Sequence, residues 1–113
     1  MANNKTSLFD TYALFKKIYK GEITTPSLTH ELLDFLKDTD IEDRIPKLLP
    51  KSAIVYHKTG DAVGSIHDVG IVKLDNTMFF VGVMTTDIGD EAETKNTIAK
   101  IAKIIFDFEI SRK

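Results

Sequence analysis

The sequence predicts an α+β domain: a three-stranded antiparallel sheet, a long carboxy-terminal helix packed on it, and two shorter helices at the amino-terminal end. Three observations carry this. Apolar residues recur at helical spacing through the first third of the chain. β-Branched and aromatic residues then dominate three runs between positions 52 and 86. A charged, helically periodic segment follows from Asp90 almost to the end.

The first helix is expected over about 7–20. Ser7 and Asp10 make an acceptable capping pair, Leu8, Tyr12, Phe15 and Tyr19 form a core-facing stripe, and Gly21 ends it. Thr25-Pro26 restarts a helix over about 26–38, with threonine as N-cap and proline at the first helical position. Its apolar face is Leu28, Leu32, Phe35 and Leu36. Pro46 and Pro50 bracket an irregular stretch at Lys47-Leu48-Leu49, left unassigned or as one helical turn. Strands are expected over about 52–58, 66–74 and 77–86, with a loop from Thr59-Gly60 through Gly64 and a hairpin turn at Asp75-Asn76. The strands are apolar on both faces, so each face of the sheet needs cover. The last helix, about 90–111, has acids at its positive end and Arg112-Lys113 at its negative end. Ile98, Ile101, Ala102 and Ile105 give it a sheet-facing stripe, widened by Phe106 and Phe108.

Composition narrows the function. The 113 residues are one domain's worth of chain, 42% hydrophobic and 28% charged, which is ordinary globular usage. Fifteen basic against seventeen acidic side chains leave a formal charge of -2, too little field to hold nucleic acid or an anionic membrane. With no cysteine there is no disulfide framework, thiolate nucleophile or Cys-based zinc site. No apolar run approaches the roughly 20 residues of a membrane span, and no signal peptide is apparent in these residues.

Lys58-Thr59-Gly60 is the one segment where residue type and context agree on a mechanism. Lysine brings positive charge, threonine a hydroxyl donor, and glycine close approach to the backbone. The combination suits a carboxylate-bearing substrate lying antiparallel along a strand edge. Alone the triplet is common, and taken alone it is better explained by a solvated strand end followed by a turn. Its surroundings add specificity: Ile54-Val55-Tyr56-His57 precede it, and His67-Asp68-Val69-Gly70-Ile71-Val72 follow. With the upstream helices, Thr25-Pro26, Leu49-Pro50 and the terminal helix in this order, the chain resembles the carboxy-terminal part of the class A β-lactamase-like serine hydrolases, from about Lys5 to the end. The resemblance implies a partial β-lactamase/transpeptidase-like fold.

Two of that family's three motifs are missing. None of Ser7, Ser27, Ser52, Ser65 and Ser111 has a lysine three residues on, and no S-x-N triplet exists. The resemblance therefore implies a segment that is inactive alone. The intact relative would attack a β-lactam or a peptide ending in D-alanine, and would act outside the cytoplasm. By the same resemblance Lys58 supplies positive potential, Thr59 binds the substrate carboxylate and Gly60 admits the substrate backbone. The Asp61 amide would be one of two oxyanion donors, and no cofactor is implied. Two positions depart from the pattern: Asp61 stands where the well-known enzymes carry a small residue, and Ile66 where many relatives carry an arginine that helps hold the carboxylate.

Other readings stand beside this one. His57 and His67, if they lie across from each other with Asp68 adjacent, make a two-histidine, one-carboxylate metal set, although Asp68 should point away from His67. The plainer reading is hydrogen-bonded structural histidine, and His30 reads as surface. Asp90-Glu91-Ala92-Glu93 is a charged helix start, without calcium-loop spacing. A non-enzymatic α+β interaction module with an incidental K-T-G is the alternative function. Finally, the strand from Met78 to Thr86 contains no proline or charge and, by the resemblance, lacks a neighbour. It is expected to pair with another copy or with the missing amino-terminal portion, unless loops or the first five residues cover it.

Overall fold

The structure, a computed structural model, describes residues 5–37 and 39–112. Helix α1 (Leu8–Tyr19) starts where Ser7 Oγ accepts from the Asp10 amide at 3.1 Å. It ends in paired reverse bonds, Gly21 N–H to Ile18 carbonyl and Glu22 N–H to Lys17 carbonyl, which satisfy carbonyls that the helix leaves open. Helix α2 (Pro26–Lys37) is capped by Thr25, whose Oγ1 accepts from the Leu28 amide at 3.3 Å. The expected last residue of this helix, Asp38, lies outside the described residues, as do residues 1–4. A 3-10 turn, η1 (Ile45–Leu48), occupies the stretch between the prolines.

Strands β1 (Ile54–Ala62), β2 (Ser65–Leu74) and β3 (Thr77–Met84) then form an antiparallel sheet in the order β1-β2-β3. Helix α3 (Glu91–Ser111) closes the chain, with Asp90 Oδ1 accepting from the Glu93 amide at 3.0 Å.

The loop expected from Thr59 to Gly64 is corrected. Strand β1 runs on through Ala62, which pairs with Ser65, leaving only Val63-Gly64 to turn the chain. Gly64 takes φ 75°, a left-handed conformation that costs glycine nothing, so the turn closes in two residues and Thr59, Gly60 and Asp61 belong to the sheet.

Both faces of the sheet are covered. On one, Val55, Ile66, Val72 and Val81 pack with Ile45 and Leu49 of the η1 segment and with Ile98, Ala102 and Phe106 of α3. On the other, Val69 and Ile71 meet Phe15 of α1, with Tyr19, Leu36, Tyr56, Phe80 and Met84 around them. β2, in the middle, is buried on both faces, which is why its sequence does not alternate.

Several expected core positions lie elsewhere. α2 packs chiefly against β1 and α1, so Leu32 and Leu36 are half-buried while Leu28 and Phe35 stay exposed, Phe35 at 69%. Tyr12 sits at the rim, its ring edge-on to Phe80 at 5.4 Å, because α1 crosses the sheet near β3. On α3 the buried stripe is Ile98, Ala99, Ala102 and Phe106; Ile101 and Phe108 face outward.

One glycine is indispensable to this packing. A Cβ on Gly70 would lie 2.2 Å from the Tyr56 carbonyl oxygen and 2.7 Å from His57 Cβ. Neither the β1 backbone nor the Cβ of a fully buried side chain can yield. Gly70→Ala should therefore destabilise the fold by about 3 kcal/mol or more, read as a lowered urea midpoint. The exposed Gly89→Ala, which meets nothing within 4 Å, should change that midpoint little.

Candidate functional site

The site grows from a buried ionic cluster under β1. His57 and Gly70 are direct partners in the β1–β2 register, and Asp68 sits two residues along β2 on the same face. His57 Nδ1 lies 2.7 Å from Asp68 Oδ1, with both side chains 0% exposed. The second oxygen, Oδ2, accepts from the Ile45 amide at 3.0 Å, which gives the first turn of η1 its cap.

Two acceptors face the other ring nitrogen. Glu42 Oε2 lies 3.1 Å from Nε2 and Thr39 Oγ1 3.2 Å. The Thr39 hydroxyl donates to the Ile41 carbonyl, so toward His57 it accepts. With a carboxylate oxygen on each side, both ring nitrogens have an acceptor to donate to, an arrangement that favours the imidazolium form. Burial by itself pushes the His57 pKa down; the hydrogen bond and charge of Asp68, then those of Glu42, outweigh it and hold it above the ordinary 6.5.

Segment 39–45 is thereby tied to the strand, and it carries Arg44 to the sheet's upper end. Arg44 is only 1% exposed, and its Nη2 donates to Asp61 Oδ1 at 2.6 Å. Asp43 Oδ1 stands 3.6 Å from Arg44 Nε, and Lys95 of α3 reaches Asp43 Oδ2 at 3.3 Å.

The four residues singled out in the sequence lie in a row on β1, an edge strand. Lys58 is exposed, has no salt-bridge partner among the described residues, and donates to the Thr59 carbonyl. Thr59 and Gly60 are half-buried; Thr59 and Asp61 share the face of His57, and Lys58 takes the opposite one. The direction of the Asp61 amide follows from its partner. Ile66, directly opposite, donates its N–H to Thr85 Oγ1 at 3.0 Å, and its carbonyl accepts from the same hydroxyl at 2.6 Å. Its backbone thus faces β3, so the Asp61 N–H points away from β2 to the outer edge, and so does that of Thr59.

The two-histidine metal set is not assembled. His67 pairs with Gly60, on the face opposite His57, and its Nδ1 accepts from the Thr85 amide at 3.1 Å. No metal-holding group of His, Asp and Glu occurs among the described residues. His30 is on the surface, 3.4 Å from Asp34. Arg44 and Glu42 were not anticipated.

The sequence model of the β-lactamase enzyme family matches residues 1–108. This chain belongs to that family. Among solved structures, PBP-A is similar over 95% of this chain and 44% of its own, at 26% identity and TM-score 0.77. A β-lactamase from Chitinophaga pinensis matches over 90% and 41%, at 29% identity and TM-score 0.77. The chromosome-encoded β-lactamase of Vibrio parahaemolyticus, at 15% identity, shares the fold over 91% and 41%, with TM-score 0.82. None of the curated proteins matches. The chain thus spans less than half the length of these β-lactamase-fold structures, and its α+β architecture is a part of that fold.

A raised histidine pKa has a definite consequence for stability. The unfolded ring titrates near the ordinary value, so the pair's contribution is fully present below about pH 6.5 and is lost as pH rises through the higher folded pKa. Urea midpoints measured across that window should fall toward high pH. His57→Gln should remove this component and lower the acid-side stability by about 3 kcal/mol, because Asp68 is left buried without its cation.

Proposed function

We propose that this chain forms the substrate-recognition side of a β-lactamase-like serine hydrolase, acting on a β-lactam or a D-alanyl peptide, and that it is inactive alone. The observation that carries the reading is the β1 edge. Along it lie an ammonium with no salt-bridge partner among the described residues (Lys58), a hydroxyl (Thr59) and two outward amides (Thr59, Asp61), with the buried guanidinium of Arg44 held at Asp61, within a chain of this family.

In this reading the substrate carboxylate accepts from the Thr59 hydroxyl, with Lys58 and Arg44 supplying positive potential. Arg44 answers the missing arginine at position 66: Ile66 is a buried core residue, and the guanidinium reaches the same end of the sheet from the η1 side, to Asp61 directly opposite Ile66. Gly60, without a side chain, admits the substrate backbone. The outward Asp61 amide donates to the oxyanion that forms when a serine hydroxyl attacks the carbonyl carbon. That serine, its base and the second oxyanion donor must come from the part of the protein that resembles the other half of PBP-A. PBP-A itself is represented by a variant solved as an acyl-enzyme complex with penicillin-G. On this reading the intact protein acts outside the cytoplasm. Among the described residues no helix is long and apolar enough to cross a membrane.

Incubation of the 113-residue chain with penicillin G and intact-mass spectrometry tests the division of labour. No penicilloyl adduct and no hydrolysis are expected, since loss of the nucleophile removes most of the acceleration; a stoichiometric adduct on Ser7, Ser27, Ser52, Ser65 or Ser111 would contradict it. Reading the coding sequence upstream tests the hydrolase itself, which requires S-x-x-K and S-x-N in frame.

The β3 edge carries a second proposal. β3 has one strand neighbour, β2, among the described residues, and nothing from Met78 to Met84 carries a charge. We propose that the isolated chain self-associates through antiparallel pairing of this strand with a second copy, a contact that the missing portion replaces in the intact protein. Sedimentation at micromolar concentration should show a dimer or larger species. A monodisperse monomer whose Phe79 to Val83 amides exchange freely would contradict it.

A further inference from the structure

Asp61 is where this chain departs from its resemblance, and its carboxylate is not idle. It accepts from Arg44 Nη2 at 2.6 Å, joining a guanidinium 1% exposed to a carboxylate 55% exposed. Arg44 Nε and Nη1 are also buried, and neither has a hydrogen-bond partner among the described residues. A guanidinium offers five donors arranged to grip a planar carboxylate through two bonds at once. Here Nη2 is engaged by the Asp61 carboxylate, Nε faces Asp43 Oδ1 at 3.6 Å, beyond hydrogen-bond distance, and Nη1 has no hydrogen-bond partner among the described residues. Thr59 lies two residues back on the same face of β1, so Asp61 holds the position beside the hydroxyl that an incoming carboxylate would take.

We infer that Asp61 is an internal competitor of the substrate carboxylate: its side chain fills the grip of Arg44, and an anionic ligand enters only by opening that pair. This rests on the reading of Lys58, Thr59 and Arg44 as a carboxylate subsite, and it assigns that subsite a selectivity. A simple monoanion meets a repelling charge at the mouth of the site as well as an occupied guanidinium. A ligand that brings a cation near its carboxylate would instead find Asp61 a partner once it swings free. Asp61 has room to swing, being the exposed member of the pair and next to the turn.

The test uses the whole chain and acetate as the probe, at constant ionic strength, followed by the Arg44 Nε–H signal and the backbone amides of residues 58–61 in NMR titrations. Asp61→Ala and Asp61→Asn should each bind acetate about tenfold more tightly than the wild type, the equivalent of about 1.4 kcal/mol. The shifts should include Arg44 and Thr59. Asp61→Glu, which keeps the charge, should stay near the wild-type affinity. Two charge-removing variants guard against one of them folding poorly.

Equal affinity in wild type, Asp61→Ala and Asp61→Asn, with shifts at Lys58 and Thr59 in all three, would overturn the competitor role and leave the subsite standing. Tight binding by Asp61→Glu would overturn it as well, since charge would then not be the cause. No response at residues 58–61 or Arg44 in any variant would overturn both the competitor role and the subsite.

Discussion

The rest of this structure depends on one buried ion pair. His57 and Asp68 are fully enclosed, and neither is tolerable there without the other: each charge alone would carry several kcal/mol of desolvation. Together, and with the Ile45 amide and Glu42 completing their hydrogen bonds, they join β1, β2, the start of η1 and segment 39–44. Gly70 makes the arrangement possible by leaving its space to the Tyr56 carbonyl and to the His57 Cα and Cβ. The consequence reaches the edge of the sheet, because Arg44 lies between Glu42 and Ile45 and owes its position to both. A salt bridge of this kind contributes less net stability than its Coulomb energy implies. Its value here is that it fixes one arrangement of an otherwise irregular segment.

Much of the fold was legible because local signals were strong. The caps at Ser7, Thr25 and Asp90 each make the bond that their residue type predicts, to an amide three residues on. The hairpin turn at Asp75-Asn76 and the burial of β2 on both faces likewise follow from residue type. Errors came where tertiary context decides. Nothing in Thr59-Gly60-Asp61-Ala62 distinguishes a loop from a strand until the pairing with β2 is known, and two glycines within five residues argue for a loop. Phe35 and Phe108 obey helical periodicity, yet their helices have no neighbour among the described residues on those flanks. Periodicity reports which face is apolar. It does not report what covers it.

The site was legible in one strand only. Lys58, Thr59, Gly60 and Asp61 are consecutive, so sequence alone places them together. Arg44 is seventeen residues from Asp61 and sits before Ile45-Pro46 in a stretch without periodicity. Only the register of β1 against β2, and the anchoring of Glu42 by His57, bring the guanidinium to the edge. The histidines show the same limit. His57 and His67 are the same residue type ten positions apart on paired strands, yet one is clamped between carboxylates and the other accepts a backbone proton. Their faces follow from a two-residue hairpin that the sequence did not disclose. The resemblance, by contrast, was legible in the assembled order of elements, and membership is shown by the β-lactamase family match over residues 1–108.

The protonation state of His57 tests this account most directly. Long-range ¹H–¹⁵N correlation spectra of the imidazole report each ring nitrogen separately, without perturbing the fold. At a pH just above the ordinary histidine value, both His57 nitrogens should carry protons, with Nδ1–H shifted far downfield by Asp68. A His57 ring that is neutral there, with one unprotonated nitrogen, would contradict the account, because Asp68 would then lack a buried counter-charge and Glu42 would have no cation to hold.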